Sequence, residues 1–131
     1  MTVLASLLLA DSRLPTGGHV HSGGVEAAVE RGLVRDEDDL ELFLAGRLHG
    51  TGLMVAAAAA AGCLLADTAL VSWSGWDGVV SARTPSAAAR EASRAQGVTL
   101  LRTARRVWPS AALDALGQLG RPHHPLVLGA A

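Results

Sequence analysis

The sequence predicts an all-α fold, a compact bundle of about six helices forming a single domain over residues 1–131. Half of the residues are hydrophobic, but much of that is Ala, with one Phe and no Tyr. Small side chains suit closely packed helices, whereas sheets draw on β-branched and aromatic residues. Apolar residues recur at i, i+3, i+4 spacing, and no stretch alternates in the manner of a strand. Helix start signals complete the case: an acidic run at Asp36–Asp39 and a Thr84-Pro85-Ser86 triplet.

Residues 3–10, VLASLLLA, form the first helix, polar only at Ser6, and so apolar a helix is expected to be buried. Asp11-Ser12 and Leu14-Pro15 end it, because the residue before a proline is pushed away from the helical region. After a glycine-rich loop, Ser22 is the expected N-cap of a short helix that carries Val25, Ala28 and Val29 on one face and stops near Gly32. Asp36 caps the next helix, with acids facing the positive end of its dipole. Its apolar stripe is Leu40, Phe43, Leu44 and Leu48, and Gly50 and Gly52 mark a bend or a close crossing. The alanine run 56–61 is expected to end at Gly62, with a further helical stretch from Leu64 to Val80. Trp73 and Trp76, three apart, share a face and read as core filling.

Thr84 is the expected cap of a helix running to about Val107 and stopped by Pro109. Its small and apolar positions are Ala89, Ala92, Ala95 or Gln96, Thr99, Leu100 and Thr103, with the arginines on the flanks. Gly97 in mid-helix costs about 1 kcal/mol against Ala, which points to a tight helix crossing. Ser110 to Leu119 forms a short helix, and Leu126 to Ala131 opens another after the Pro-bracketed pair His123-His124. That last pattern has no capping residue at its end, so the domain is expected to be incomplete at its C-terminus.

Composition excludes several chemistries. All eleven basic residues are Arg, so there is no P-loop lysine, Schiff base or lysine general base. A net charge of −1 does not demand a polyanion, and no nucleic-acid partner is expected, although six arginines fall between Arg83 and Arg106. The lone Cys63 forms no internal disulfide. The N-terminus lacks the basic start of a signal peptide, and the low-polarity run Leu53–Ala66 is shorter than the roughly 20 residues that span a bilayer. A soluble cytoplasmic protein with no membrane partner is the expectation, and no arrangement of nucleophile and base marks an enzyme.

The stretch most committed to a special backbone path is Asp11–Glu26, DSRLPTGGHVHSGGVE. Two Gly-Gly pairs and a proline shape it, and three readings are open: an anion cradle, a metal site, or a docking corner for another protein. The anion reading lacks a preceding strand and a lysine. His19 and His21, with His123 or His124, are the weak metal candidates, imidazole being suited to nickel, zinc and copper; a small histidine-based nickel-binding protein is the alternative reading.

Three segments, in order, resemble the urease accessory protein UreF family. LLLADSRLPTGGHVHSGGVEAAV resembles its L-x-D-S-x-x-P-x-G-[GA] … S-x-G-[GL]-E signature, REASRAQGVTLLR its R-x-A-S-x-x-Q-G-x-x-L-L helix, and HHPLVLG its H-x-P-V-V-x-G segment. The matched positions are Asp11, Ser12, Pro15, Gly17, Gly18, Ser22, Gly23, Gly24 and Glu26, then Arg90, Ser93, Gln96, Gly97, His123, Pro125 and Gly129. His19 stands where many members carry an apolar residue, and family chains continue for several helices more. The resemblance implies an all-α, non-enzymatic chaperone component for nickel insertion into urease. It implies a homodimer in the full-length family that bridges the UreD (UreH) accessory protein and the GTPase UreG and acts on apo-urease. No cofactor is expected to be bound tightly; nickel would be handled by the complex.

Overall fold

The computed structural model describes residues 3–11, 13–16, 21–68 and 71–131, and every described regular element is helical. The helices are α1 (Val3–Ala10), α2 (Val25–Glu30), α3 (Glu37–Arg47), α4 (Leu53–Leu65), α5 (Trp73–Ala82), α6 (Ala87–Val107), α7 (Ala111–Gly117) and α8 (His124–Ala130). The expected half-dozen segments are thus eight among the described residues, and the run expected to continue from Leu40 into the alanines counts as two helices, α3 and α4.

Caps explain several boundaries. Asp36 accepts from the Asp39 amide at 2.9 Å, as expected, and the Arg35 guanidinium closes on the Asp39 carboxylate at 2.8 Å. Ser72, Ser86 and Ser110 cap α5, α6 and α7 in the same way. Thr84 is therefore not the cap of α6: its hydroxyl donates back to Val80 O at 2.8 Å, and the chain turns two residues later. Ser22 does not cap α2 either. Gly24, at φ 97°, takes that place with no side-chain bond, since a left-handed residue there turns the chain without one.

Gly62 does not end α4, which runs through it to Leu65; without a Cβ it lets α8 approach. Residues 66–68 and 71–72 lie outside any helix, so the stretch from Leu64 to Val80 is broken, with 69–70 outside the described residues. Gly50 and Gly52 sit in a π-helical turn, Leu48–Gly52, that joins α3 to α4 rather than bending them apart. The combined helix, Glu37–Leu65, is 29 residues long, has a mean hydropathy of 1.6 over its most apolar window and is 6% buried there. By length and composition it is long enough to cross a membrane, unlike the shorter run legible in the sequence.

The core lies at the other end of the chain. Leu100, Leu113, Leu116, Leu126 and Val127 are fully buried, with Trp73, Val80, Leu101 and Ala104 around them. The buried stripe of α6 is Gly97, Leu100, Leu101 and Ala104, one position out of phase with the expected one. Trp73 fills the core as expected, but Trp76 is 37% exposed and lines an open groove of about 520 Å³ with Leu53, Met54 and Val79. α1 is not buried as anticipated: Leu9 packs on the core, while Val3, Leu7 and Leu8 face solvent.

Candidate functional site

α8 is short, seven residues, and both of its flanks are pressed onto other helices by missing side chains. A Cβ on Gly129 would lie 1.9 Å from Ala59 O, and one on Gly62 would lie 2.8 Å from Leu126 O. On the other side, a Cβ on Gly97 would lie 2.0 Å from Pro122 O and 2.9 Å from the His124 amide. The expected tight crossing at Gly97 is therefore real, and its partner is the turn that opens α8.

That turn carries a polar node. His123 is fully buried at the N-cap of α8, and Pro125 is buried in the first turn. The His123 backbone amide donates to Asp77 Oδ1 at 2.9 Å. Its ring contacts two hydroxyls, Ser93 Oγ at 3.0 Å from Nδ1 and Ser81 Oγ at 2.9 Å from Nε2. Arg94 donates to Asp77 Oδ2 at 2.8 Å, to Ser81 Oγ at 3.0 Å and to the carbonyl of Arg121. Ser93 also accepts from the His124 amide at 3.3 Å. Burial pushes the His123 imidazole below its ordinary value; the charges of Arg94 and Arg90 add to this and Asp77 opposes it. Burial alone pushes His124 the same way.

Arg90 fixes the start of the same helix, donating to Thr84 O at 2.7 Å and Pro85 O at 2.8 Å. Gln96 is half-buried beside Gly97. Arg121 pairs with Glu91 across the turn, which holds that carboxyl below its usual range. Thus Arg90, Ser93, Gly97, His123, Pro125 and Gly129 gather around one helix junction. The sequence reading missed Asp77, Ser81 and Arg94. A signal existed for Asp77, which lies on the α5 face shared with Trp73 and Val80, where an unpaired carboxylate has no place.

The loop candidates form a separate and exposed group. Asp11 accepts from the Arg13 amide at 2.9 Å and from its guanidinium at 2.8 Å, and those bonds hold its carboxyl below the usual range. Pro15 O accepts from the Thr103 hydroxyl at 3.0 Å, tying the loop to α6 beside a cleft of about 290 Å³ that Arg102 and Arg106 also line. Gly23, at φ 65°, passes under the Arg47 guanidinium, whose Cζ would be 3.1 Å from an added Cβ. His21, Ser22 and Glu26 are exposed. Ser12, Gly17, Gly18 and His19 lie outside the described residues.

Among the described residues the histidines do not converge on one point, and His19 lies outside those residues. Both ring nitrogens of His123 are engaged by serines, and among the described residues no three or more His, Cys, Asp or Glu side chains converge. The two groups of candidates also stay apart: one is an interior junction, the other a surface loop.

Comparison with known proteins covers the junction and, in the curated relatives, nearly the whole chain. The UreF family model matches residues 34–131, which includes the whole junction. The chain is 53% identical to the urease accessory protein UreF of Mycobacterium marinum, over 98% of its own length and 59% of that relative's. It is 52% identical to the protein of the same name from Mycolicibacterium vanbaalenii, over 100% of its own length and 60% of the relative's. The chain therefore spans about three fifths of the length of these curated relatives. No solved structure matches it.

Proposed function

The chain belongs to the UreF family, and from that premise we propose that it serves urease maturation as a scaffold without catalysis of its own. In this reading it joins a cytoplasmic assembly in which it bridges the UreD/UreH protein and the GTPase UreG and presents them to apo-urease. Nickel is the cargo of that assembly and not a resident cofactor of this chain. GTP hydrolysis belongs to the partner, and the full-length protein works as a homodimer.

The observation that carries the reading is the identity of more than half the residues with proteins named urease accessory protein UreF, across nearly the whole chain. The division of the motif residues supports it. Those in the junction are spent on holding α8, while Asp11, Ser22 and Glu26 are placed on the surface, where a chain without a reaction centre meets partners. The exposed leucines of the long helix, Leu42, Leu44, Leu48 and Leu64, suit a chain that works inside an assembly.

Co-purification with UreD/UreH and UreG, followed by urease activation in the reconstituted system, tests the proposal. The expected result is a complex that activates urease with the wild-type chain and fails with Glu26→Arg. A chain that neither joins the complex nor supports activation would overturn it.

A further inference from the structure

The junction around His123 fits a neutral imidazole and not a charged one. Ser81 Oγ already accepts from Arg94, and Ser93 Oγ already accepts from the His124 amide. Each hydroxyl then has one lone pair and one hydrogen left. A neutral ring offers one N–H and one lone pair, so one serine accepts from it and the other donates to it, whichever tautomer is present. An imidazolium offers two N–H groups. Both serines would have to accept, and the hydroxyl hydrogen that pointed at the ring would lose that acceptor in a part-buried junction.

Of the surrounding charges, Arg94 and Arg90 act in the same direction and Asp77 opposes them. α6 brings Arg94 and Arg90, and its Glu91 is already occupied by Arg121 of the turn. α5 brings one carboxylate, Asp77, whose two oxygens are taken by Arg94 and by the His123 backbone amide. α7 brings Asp114, paired with Arg105, and α4 meets α8 through Ala59, Gly62 and the Cys63 backbone. His124 follows His123 in the chain and gains no charge readily, being pushed down by burial.

We propose that His123 is an acid-released lock: protonation of its ring frees α8 from α6 and from the Gly62–Gly129 crossing with α4. The sign follows from linkage. A histidine whose folded state resists the proton adds stability above the ordinary value near 6.5, and that stability is lost as pH falls below it. Release exposes Leu126 and Val127 together with the alanine face of α4, an apolar surface covered at neutral pH. The inference stands on the junction's geometry and does not depend on the scaffold role.

Hydrogen exchange of the α8 amides in the intact chain, between about pH 7.5 and about pH 5.5 and corrected for intrinsic rates, tests it. Protection of Leu126–Ala131 is expected to fall reversibly in the wild type, where both histidines contribute, and by up to about tenfold in His124→Gln. In His123→Asn it is expected to be weaker at the higher pH and to fall clearly less than in the wild type, the remaining fall being the share of His124, which burial also pushes down. Unchanged protection in the wild type, an equal fall in His123→Asn, or a flat response in His124→Gln would overturn the proposal. Should His123→Asn not fold, the wild-type ring is titrated by NMR. It is expected to stay neutral until α8 opens, and charging near 6.5 with α8 still protected would overturn the lock.

Discussion

Two regions carry the motif residues, and they are built in opposite ways. At the α5–α6–α8 junction the motif residues are buried or half-buried, and His123 has no exposed surface at all. In the Asp11–Glu26 loop the described side chains face solvent or lie half-buried, and what is fixed is backbone: the Pro15 carbonyl on Thr103, and two left-handed glycines beside Arg47. The contrast teaches that a shared motif can mean two things. In the junction it records how tightly helices meet; in the loop it records what the chain presents.

The largest effects should come from restoring side chains to the junction's glycines. Gly97→Ala and Gly129→Ala each drive a methyl group to 2.0 Å or less from a backbone carbonyl oxygen, where no rotamer offers escape. Each is expected to lower stability by about 3 kcal/mol or to prevent folding, as read by urea denaturation. Gly46→Ala, in α3 with nothing within 4 Å of the added Cβ, should instead raise stability by about 0.5–1 kcal/mol. Similar behaviour at all three sites would erase the distinction between crossing glycines and free ones.

Next comes the polar node. Asp77→Ala leaves the His123 amide without its acceptor and the Arg94 guanidinium without its carboxylate, in an Arg94–Asp77 pair whose side chains are only 25% and 12% exposed. A loss of about 2–3 kcal/mol is expected at neutral pH. Asp77→Asn keeps an acceptor for the amide and should cost less. Equal losses would mean that the charge, and not the hydrogen bond to the turn, holds α8.

How much of this was legible in the sequence depended on whether the deciding interaction was local. Asp36 as cap, Pro109 as stop and Gly97 as crossing were readable, because capping chemistry, a missing amide and a missing Cβ act within a turn or two. Gly62 looked like a stop and is a crossing, because the partner that makes it one is α8, more than sixty residues later. The phase of α6 was misread for the same reason: Ala89 and Ala95 look apolar enough to be buried, yet the docking of the Pro122–His124 turn turns Gly97 and Ala104 inward. His123 was visible only as a motif position. Its partners sit on α5 and α6, thirty or more residues away, and spacing along the chain does not reveal them.

A cap far from both regions gives the intermediate scale. Asp36→Ala removes the acceptor for the Asp39 amide at an exposed helix start, and about 1 kcal/mol is expected by thermal or urea unfolding. The α8 exchange pattern should not change, since α3 has no buried residue to transmit the loss. A change there would couple the N-terminal helices to the junction more strongly than their packing implies.

The smallest effect on stability should be the most informative about the loop. Glu26 is exposed in the first turn of α2, where its charge faces the helix dipole and little else. Glu26→Arg should therefore cost no more than about 0.5–1 kcal/mol. If the loop is a presenting surface, the same variant abolishes urease activation while folding and α8 protection stay as in wild type. If activation survives, the loop's glycines and proline only shape the path between α1 and α2. A variant that unfolds the chain would instead place Glu26 with the junction residues, against its exposure. The two regions are thus separated by one measurement pair: junction variants lose stability first and activation with it, whereas a loop variant loses activation alone.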